Sequence, residues 1–191
     1  MNRSVQIKVM PISGSIVTKL ELIHIVGAKI AKKMCDELAV FPTQFKGVYY
    51  IPFETERKAF YITYPYRVLF DAAKKFLKDS GIYYGMETAL YFEKKVWNPV
   101  PVHIMNKHLS KKLKLKKEAM GYWRSKKRHI LLRQFPYPVF FHKIGKKDDK
   151  GIKHKDGVAY SSFERTKKDA GYLGKKGSRE ARNFIEFYIK K

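Results

Sequence analysis

The sequence is poor in the residues that disulfides and most zinc sites require. Cys35 is the only cysteine among 191 residues, which excludes an intrachain disulfide and any zinc site built from several cysteines. Because Met34 and Leu38 accompany Cys35 on a predicted helix face, the sequence favours a small buried thiol over a catalytic nucleophile.

Long apolar runs are also missing. No run approaches the roughly 18 residues of a membrane-spanning helix, and residues 1–8 lack the apolar stretch of a secretory signal peptide. The sequence therefore predicts a cytoplasmic protein without a membrane partner. Hydrophobic residues make up 45% of the chain and aromatic residues 15%, enough for a packed core, so intrinsic disorder is disfavoured.

The sequence also lacks the common catalytic motifs. No two of its six histidines have the His-x-x-x-His spacing of a helical metal site, and no Walker or Rossmann glycine pattern occurs. We therefore predict a protein without catalytic residues, metal or cofactor, which is not an enzyme. A metal-dependent nuclease stays open as an alternative if carboxylates converge in the fold, and the candidates are Glu87, Glu93, Glu164 and Asp169.

Acidic residues are scarce relative to basic ones. The chain has 41 Lys and Arg against 17 Asp and Glu, a formal net charge of +24. Self-repulsion opposes compaction of such a chain, and a polyanion relieves it with release of counterions. A lysine-rich, thermophilic composition would enrich glutamate as well. The balance therefore predicts a nucleic-acid-binding protein.

The excess positive charge is uneven along the chain. Residues 1–52 carry a net +4, residues 53–105 carry +2 and residues 106–191 carry +18. We predict two domains, a DNA-binding module at 1–52 and a basic α+β domain at 53–191.

The first of these domains has the pattern of a winged helix-turn-helix. Thr18 and Glu21 have capping-box spacing at the start of a short helix, and Gly27 is placed to end it. A second helix is predicted at 28–39, with a buried stripe of Ile30, Met34 and Leu38. A glycine-led turn and a strand follow at 45–52, which completes the order helix, turn, helix, β wing.

Four lysines of this module are the predicted DNA contacts. Lys29, Lys32 and Lys33 lie off the apolar stripe of the second helix, and Lys46 lies on the wing. Lysine suits phosphates better than base edges, which are read mainly by Arg, Asn and Gln.

A second basic region mixes cations with aromatic residues. Within residues 122–129, Tyr122 or Trp123 could stack on bases, or both could pack inward with the basic residues facing solvent. The predicted nucleic-acid contacts of this region are Lys111, Lys112, Lys114, Arg124, Lys126, Lys127 and Arg128. Diffuse charge with aromatic residues suits RNA equally well, so an RNA-binding or ribonucleoprotein protein stays open as an alternative.

The remaining pattern predicts a mixed α+β domain. Helices are predicted at 66–79, 86–92, 162–172 and 179–190. Strands are predicted at 58–64, 99–105, 128–135, 139–142 and 158–160, with a polar loop at 145–157.

Three short motifs resemble a known family. They are Lys46-Gly-Val-Tyr-Tyr-Ile-Pro52, Tyr84-Gly-Met-Glu-Thr-Ala-Leu-Tyr91 and Ser162-Phe-Glu-Arg-Thr-Lys-Lys-Asp169. Their order and spacing resemble the AbiEi-type antitoxins of abortive-infection toxin–antitoxin systems. The resemblance implies a winged-helix protein that represses its own operon on promoter repeats and counters a nucleotidyltransferase-like toxin without stable contact. It leaves pairing of two copies on DNA open.

The third motif departs from the family at Lys167-Lys168, where two apolar residues are usual. Because buried lysines are costly, this turn is expected to be exposed or packed differently. We interpret the motif as a helix start capped by Ser162, with Arg165 and Asp169 paired at i, i+4 spacing.

Overall fold

The computed structural model describes residues 10–78, 81–97, 101–106, 139–144 and 148–190. In this part of the chain, seven α-helices and eight strands in two sheets form a mixed α+β structure, which confirms the predicted class. Contacts divide the described residues into two compact units. Along the chain, the described part of the first unit ends at Lys78 and that of the second begins at Gly81.

The first unit begins with a 3-10 helix at Met10–Ile12. It continues with β1 (Ile16–Thr18), α1 (Lys19–Val26), α2 (Ala28–Asp36), β2 (Phe41–Pro42), β3 (Val48–Tyr50), α3 (Glu54–Ala59) and α4 (Pro65–Leu77). Helices α3 and α4 thus belong to this unit, although they follow the predicted module of residues 1–52.

The boundaries of α1 follow the predicted signals. The Glu21 amide donates to Oγ1 of Thr18 at 3.2 Å, and the Thr18 amide donates to Oε2 of Glu21 at 2.7 Å. The amide of Gly27 donates to the Ile23 carbonyl at 2.7 Å and ends the helix. Gly27 has φ 84°, a region that favours glycine, and α2 starts at the next residue. The capping box and the glycine stop are confirmed.

The predicted apolar stripe of α2 is only partly right. Met34 is buried, but the second buried position is Ala31, whereas Ile30 is 37% exposed. The helix ends at Asp36, and Leu38 lies beyond it with φ 54°. Because the helix lacks its last predicted turn, its buried face consists of Ala31 and Met34, which are three residues apart. This face joins a core formed by Val17, Leu22, Val26, Ala31, Met34, Val40 and Ile51.

The sheet of the first unit is a three-stranded antiparallel sheet in the order β1-β3-β2. Tyr50 of the central strand lies opposite Ile16 on one side and Phe41 on the other. The turn between β2 and β3 is tied to the start of α1, because the Lys19 amide donates to the Gly47 carbonyl at 2.8 Å.

Two neighbouring polar residues of this turn, Thr43 and Gln44, are buried, and they differ in whether their side chains are hydrogen-bonded. Oγ1 of Thr43 donates to the Val48 carbonyl at 2.9 Å and accepts from the Phe45 amide at 3.2 Å. Among the described residues, neither amide atom of Gln44 has a hydrogen-bond partner. A buried amide without partners lowers stability, since the hydrogen bonds it makes to water in the unfolded chain are lost.

Replacing Gln44 with methionine should therefore stabilise the protein. The two side chains have similar volume, and removal of an unpaired buried amide should raise the free energy of unfolding by about 1 kcal/mol. Urea denaturation measures the change. Thr43→Val is the matched control and should lower stability by a similar amount. A loss of stability in Gln44→Met would contradict the expectation.

The predicted strand at 58–64 is wrong. Instead, α3 ends at Ala59 and Phe60 adopts the left-handed conformation, with φ 48° and ψ 42°. The buried carboxylate of Glu56 organises the segment, because its Oε2 accepts from the Phe53 amide at 3.1 Å and its Oε1 from the Thr63 amide at 2.8 Å. These local bonds replace those of a strand ladder.

The described part of the second unit contains one five-stranded mixed sheet. Its elements are β4 (Ile82–Tyr84), α5 (Met86–Phe92), β5 (Val102–Asn106), β6 (Val139–Lys143), β7 (Ile152–Lys155), β8 (Val158–Ser161), α6 (Phe163–Lys175) and α7 (Arg179–Tyr188). The strand order is β6-β5-β4-β8-β7, with β5–β6 and β4–β8 parallel.

The helices of this unit match their predicted positions closely. Helix α5 spans the predicted residues, and Ser162 and Ser178 cap α6 and α7 by accepting from the amides of Arg165 and Ala181. The predicted polar loop at 145–157 is wrong in part, because it contains β7, which pairs with β8. The predicted strand at 128–135 lies outside the described residues.

Candidate nucleic-acid interface and buried polar networks

Helix α2 presents three lysines on one solvent-facing side. Lys29, Lys32 and Lys33 are all exposed, and their i, i+3, i+4 spacing places them within roughly a 100° arc of the helix. Ala31 and Met34 hold the opposite side in the core. Lys29 lies in the first turn, where the helix dipole adds positive potential, and Lys33 lies in the last turn.

The C-terminal end of α2 also carries carboxylates. Asp36 is exposed there, and Glu37 follows the helix and pairs with Lys33 at 3.7 Å. No carboxylate among the described residues forms an ion pair with Lys29 or Lys32. The side chains of the solvent-facing side bring no arginine, asparagine or glutamine to a ligand, so its chemistry is phosphate binding rather than base reading.

Lys46, the fourth predicted contact of this unit, is exposed in the turn between β2 and β3. The adjoining Gly47 binds the first residue of α1, so the turn is fixed relative to the helix pair. The other predicted contacts, Lys111, Lys112, Lys114, Arg124, Lys126, Lys127 and Arg128, lie outside the described residues. They belong to residues 107–138, which hold eleven Lys and Arg but a single glutamate.

The second unit contains a buried ion pair that the third motif predicts. Nε of Arg165 lies 3.1 and 3.0 Å from the two carboxylate oxygens of Asp169. Both residues are buried, Asp169 completely. Nη1 of Arg165 donates to the carbonyls of Asp148 and Lys150 at 2.8 and 2.9 Å, which fixes the loop before β7 to α6.

Tyr83 on β4 completes this network. Its hydroxyl donates to Oδ2 of Asp169 at 2.6 Å and lies 3.3 Å from Nη2 of Arg165. Burial, followed by the charge of Asp169, raises the pKa of the Tyr83 hydroxyl, so it stays protonated and donates. The network joins a strand, a loop and a helix, and the hydrogen bonds among its members give it a structural role.

The Lys167-Lys168 turn of the third motif lies toward solvent. Lys168 is exposed and Lys167 is partly exposed, where it pairs with Glu164 at 2.8 Å. The buried side of the same helix uses Thr166, whose hydroxyl lies 2.6 Å from that of Ser161. The expectation that this turn is exposed is confirmed.

Two histidines form a buried pair that the sequence analysis did not find. Nδ1 of His103 lies 2.9 Å from Nε2 of His142, and Nε2 of His103 lies 3.1 Å from Oε2 of Glu87. Which ring nitrogen donates between the two histidines depends on their tautomers, and among the described residues Oε2 of Glu87 makes no hydrogen bond. Burial, followed by the neighbouring His103, lowers the pKa of His142 to about 3.

The four carboxylates considered for a nuclease each have a different partner. Glu87 lies beside His103, Glu93 beside Lys153, Glu164 beside Lys167 and Asp169 beside Arg165. In the described part of the chain, no group of three or more His, Cys, Asp or Glu side chains is placed to hold a metal ion. Separately, none of the described helices combines the length and apolar character required to span a bilayer.

No protein-family model, curated protein or solved structure matches the chain. The functional argument therefore depends on the geometry and charge of the two units themselves.

Proposed function

We propose that this protein binds nucleic acid, most favourably duplex DNA, and acts as an antitoxin-type transcriptional regulator without catalytic activity. The observation that carries the proposal is the lysine-rich side of α2, in a chain with a net charge of +24. Lys29 and Lys32 form no ion pair with a carboxylate of the described residues, and exposed cations of this kind gain free energy when phosphates replace their counterions.

The arrangement of the first unit supports a winged-helix interpretation. Helices α1 and α2 are joined by Gly27 alone, and β1, which precedes them, pairs with β3, which follows them. The β2–β3 hairpin with Lys46 at its turn then corresponds to the wing. In this interpretation α2 enters the major groove and its lysines contact the phosphates on either side.

The antitoxin assignment follows from the resemblance of three motifs to the AbiEi-type family. In that scheme the protein represses its own operon by binding promoter repeats, and it counters a nucleotidyltransferase-like toxin without forming a stable complex. The Arg165–Asp169 pair would stabilise the C-terminal unit rather than contact DNA, because its hydrogen-bonding groups are already used.

Removal of the three α2 lysines should weaken DNA binding strongly. In the triple variant Lys29→Ala, Lys32→Ala, Lys33→Ala, loss of three phosphate contacts should flatten the plot of log K against log salt concentration by about 2 to 3 units. Affinity at about 0.1 M salt should fall by at least tenfold. Fluorescence anisotropy with duplex DNA from the protein's own promoter measures both quantities.

A matched control removes three cations that all have carboxylate partners, whereas among the three α2 lysines Lys33 alone has one in the described residues. Lys58, Arg67 and Lys190 each lie one helical turn from such a partner, Glu54, Asp71 and Glu186 respectively. Their replacement by alanine lowers the net charge equally and should change the salt slope by less than one unit. Equal losses in both triple variants would show that net charge alone, and not α2, binds the DNA.

A competition experiment separates DNA from RNA. Promoter duplex should displace structured RNA of equal length from the wild-type protein at the same salt concentration. Preference for the RNA would replace the regulator proposal with the ribonucleoprotein alternative. A transcription reporter driven by the same promoter then tests repression, which should be lost in the α2 variant and retained in the control variant.

A further inference from the structure

The segment after β3, residues 53–64, comprises α3 and the turn that follows it. We call it the aromatic loop, and one carboxylate binds the backbone near both of its ends. Glu56 is buried and accepts hydrogen bonds from the amides of Phe53 and Thr63 and, at 2.6 Å, from the hydroxyl of Tyr50. Because both ends of the loop bind the same side chain, its backbone is fixed before any partner arrives, which lowers the entropic cost of association.

Four aromatic side chains of this loop are left in water. Phe53 is 51% exposed, Phe60 54%, Tyr61 56% and Tyr64 64%. With roughly 200 Å² for a fully exposed ring side chain, their exposed fractions add up to on the order of 450 Å². That is more than half of the ~800 Å² that each partner buries in a stable protein–protein interface.

Two of these rings are anchored on the unit and point their remaining surface outward. The Phe60 ring stacks on buried Phe41, with centroids 6.4 Å apart, and the Phe53 ring lies against Gly14, where an added Cβ would come within 2.6 Å of it. Phe60 also has a positive φ, a position at which glycine is usual. The isolated chain thus holds a bulky aromatic residue in a strained and solvated position.

The aromatic loop is electrically neutral in a strongly basic protein. Its two basic residues, Arg57 and Lys58, are balanced by Glu54 and Glu56, and Lys58 pairs with Glu54 at 2.9 Å. A polyanion would gain no counterion release there. Two copies of a chain with charge +24, by contrast, can approach closely only where they bring no excess charge together.

We infer that the aromatic loop is a self-association surface, through which a second copy of this chain binds in a two-fold symmetric dimer. The aromatic rings form the centre of the interface, and the Glu54–Lys58 ion pair lies at its rim. The inference goes beyond the proposed function and does not depend on it, because dimerisation is measured without nucleic acid.

Salt dependence distinguishes this dimer from every charge-driven complex. Sedimentation velocity of the full chain, free of nucleic acid, should show a dimer fraction that rises between about 0.1 M and about 1 M NaCl, because salt screens the repulsion between the copies. Nucleic-acid binding should weaken over the same range. A protein that stays monomeric at about 1 M salt and about 0.5 mM chain would overturn the inference.

Variants locate the surface. Tyr61→Ser with Tyr64→Ser should weaken dimerisation by at least about tenfold, whereas Trp97→Ser, which removes an 85% exposed ring of the second unit, should leave it unchanged. Phe60→Asn provides a second disruption, since asparagine tolerates a positive φ, and circular dichroism checks that each variant is folded. A dimer that persists in these variants places the interface elsewhere and overturns the inference.

One further experiment tests the main alternative, in which the aromatic loop stacks on nucleic-acid bases. Binding of a thymidine oligonucleotide should be equal in the wild-type protein and the double tyrosine variant. If oligonucleotide binding is lost while the sedimenting mass of the free chain does not change, the aromatic loop stacks bases and the dimer proposal is wrong.

Discussion

Replacing Asp169 with alanine should cost the second unit about 3 to 5 kcal/mol of unfolding free energy. Asp169 is fully buried, and it is bound by Nε of Arg165 and by the hydroxyl of Tyr83. Its removal leaves a buried guanidinium without its counter-ion and a buried hydroxyl without its acceptor. The cost is a large share of the 5–15 kcal/mol that is typical of a folded domain.

Neighbouring substitutions show whether burial causes this loss. Asp148 also pairs with Arg165, at 3.2 Å, but its side chain is largely exposed, so Asp148→Ala should cost less than about 1 kcal/mol. The double variant Arg165→Met, Asp169→Leu removes both charges and should be more stable than Asp169→Ala alone. Thermal and urea denaturation measure all three. A cost for Asp169→Ala no larger than that of Asp148→Ala would contradict the burial argument.

The parts of the fold that sequence predicts well depend on residues close together in the chain. The Thr18–Glu21 capping box and the serine caps of α6 and α7 involve atoms three residues apart. The Arg165–Asp169 pair needs only the geometry of one helix turn. These features form as soon as the helix forms, so their spacing in the sequence suffices to predict them.

The failures occur where a side-chain bond outside a regular element, or pairing with another strand, decides the local structure. Residues 58–64 contain Phe-Tyr-Ile-Thr-Tyr, which has the apolar character of a strand. Glu56, however, accepts hydrogen bonds from the amides of Phe53, before the segment, and Thr63, within it. The missed strand β7 is polar and exposed on most of its residues, and it is defined by its pairing with β8 rather than by hydrophobicity.

The polar networks of the second unit show the same limit. Tyr83 lies 86 residues from Asp169, and His103 lies 39 residues from His142. Only the sheet topology brings them together, because β4 carries Tyr83 and the parallel pairing of β5 with β6 places both histidines on one side of neighbouring strands. The α2 lysines, by contrast, were predictable because helical periodicity alone separates them from the core.

The buried histidine pair should make the protein sensitive to mild acid. In the unfolded chain His142 binds a proton with a pKa near its ordinary value of 6.5, whereas in the folded protein its pKa is lowered to about 3. Between these values the unfolded state holds one more proton, so stability falls as the pH falls. The slope approaches 1.4 kcal/mol per pH unit, which amounts to a loss of roughly 2 kcal/mol between about pH 7.5 and pH 5.

The groups in contact with the two histidines also favour an uncharged His142 in the folded protein. His103 of β5 is in contact with His142, Glu87 of α5 faces His103, and the Phe140 ring stacks on His103 at 5.2 Å. Burial, followed by the charge of Glu87, raises the pKa of the Tyr188 hydroxyl on α7. Tyr188 is therefore neutral throughout this pH range. A proton added to His142 would therefore lie beside another imidazole in an apolar setting.

His142→Asn tests this assignment, because asparagine keeps a hydrogen-bonding group toward His103 but does not titrate. Urea denaturation between about pH 7.5 and pH 5 avoids most carboxylate titration. In the variant, the slope of the unfolding free energy against pH should decrease by the contribution of about one proton. His154→Asn is the matched control, since His154 is exposed on β7, and it should keep the wild-type slope. A wild-type stability that is flat over this range, or a slope that survives in His142→Asn, would show that His142 is not the responsive group.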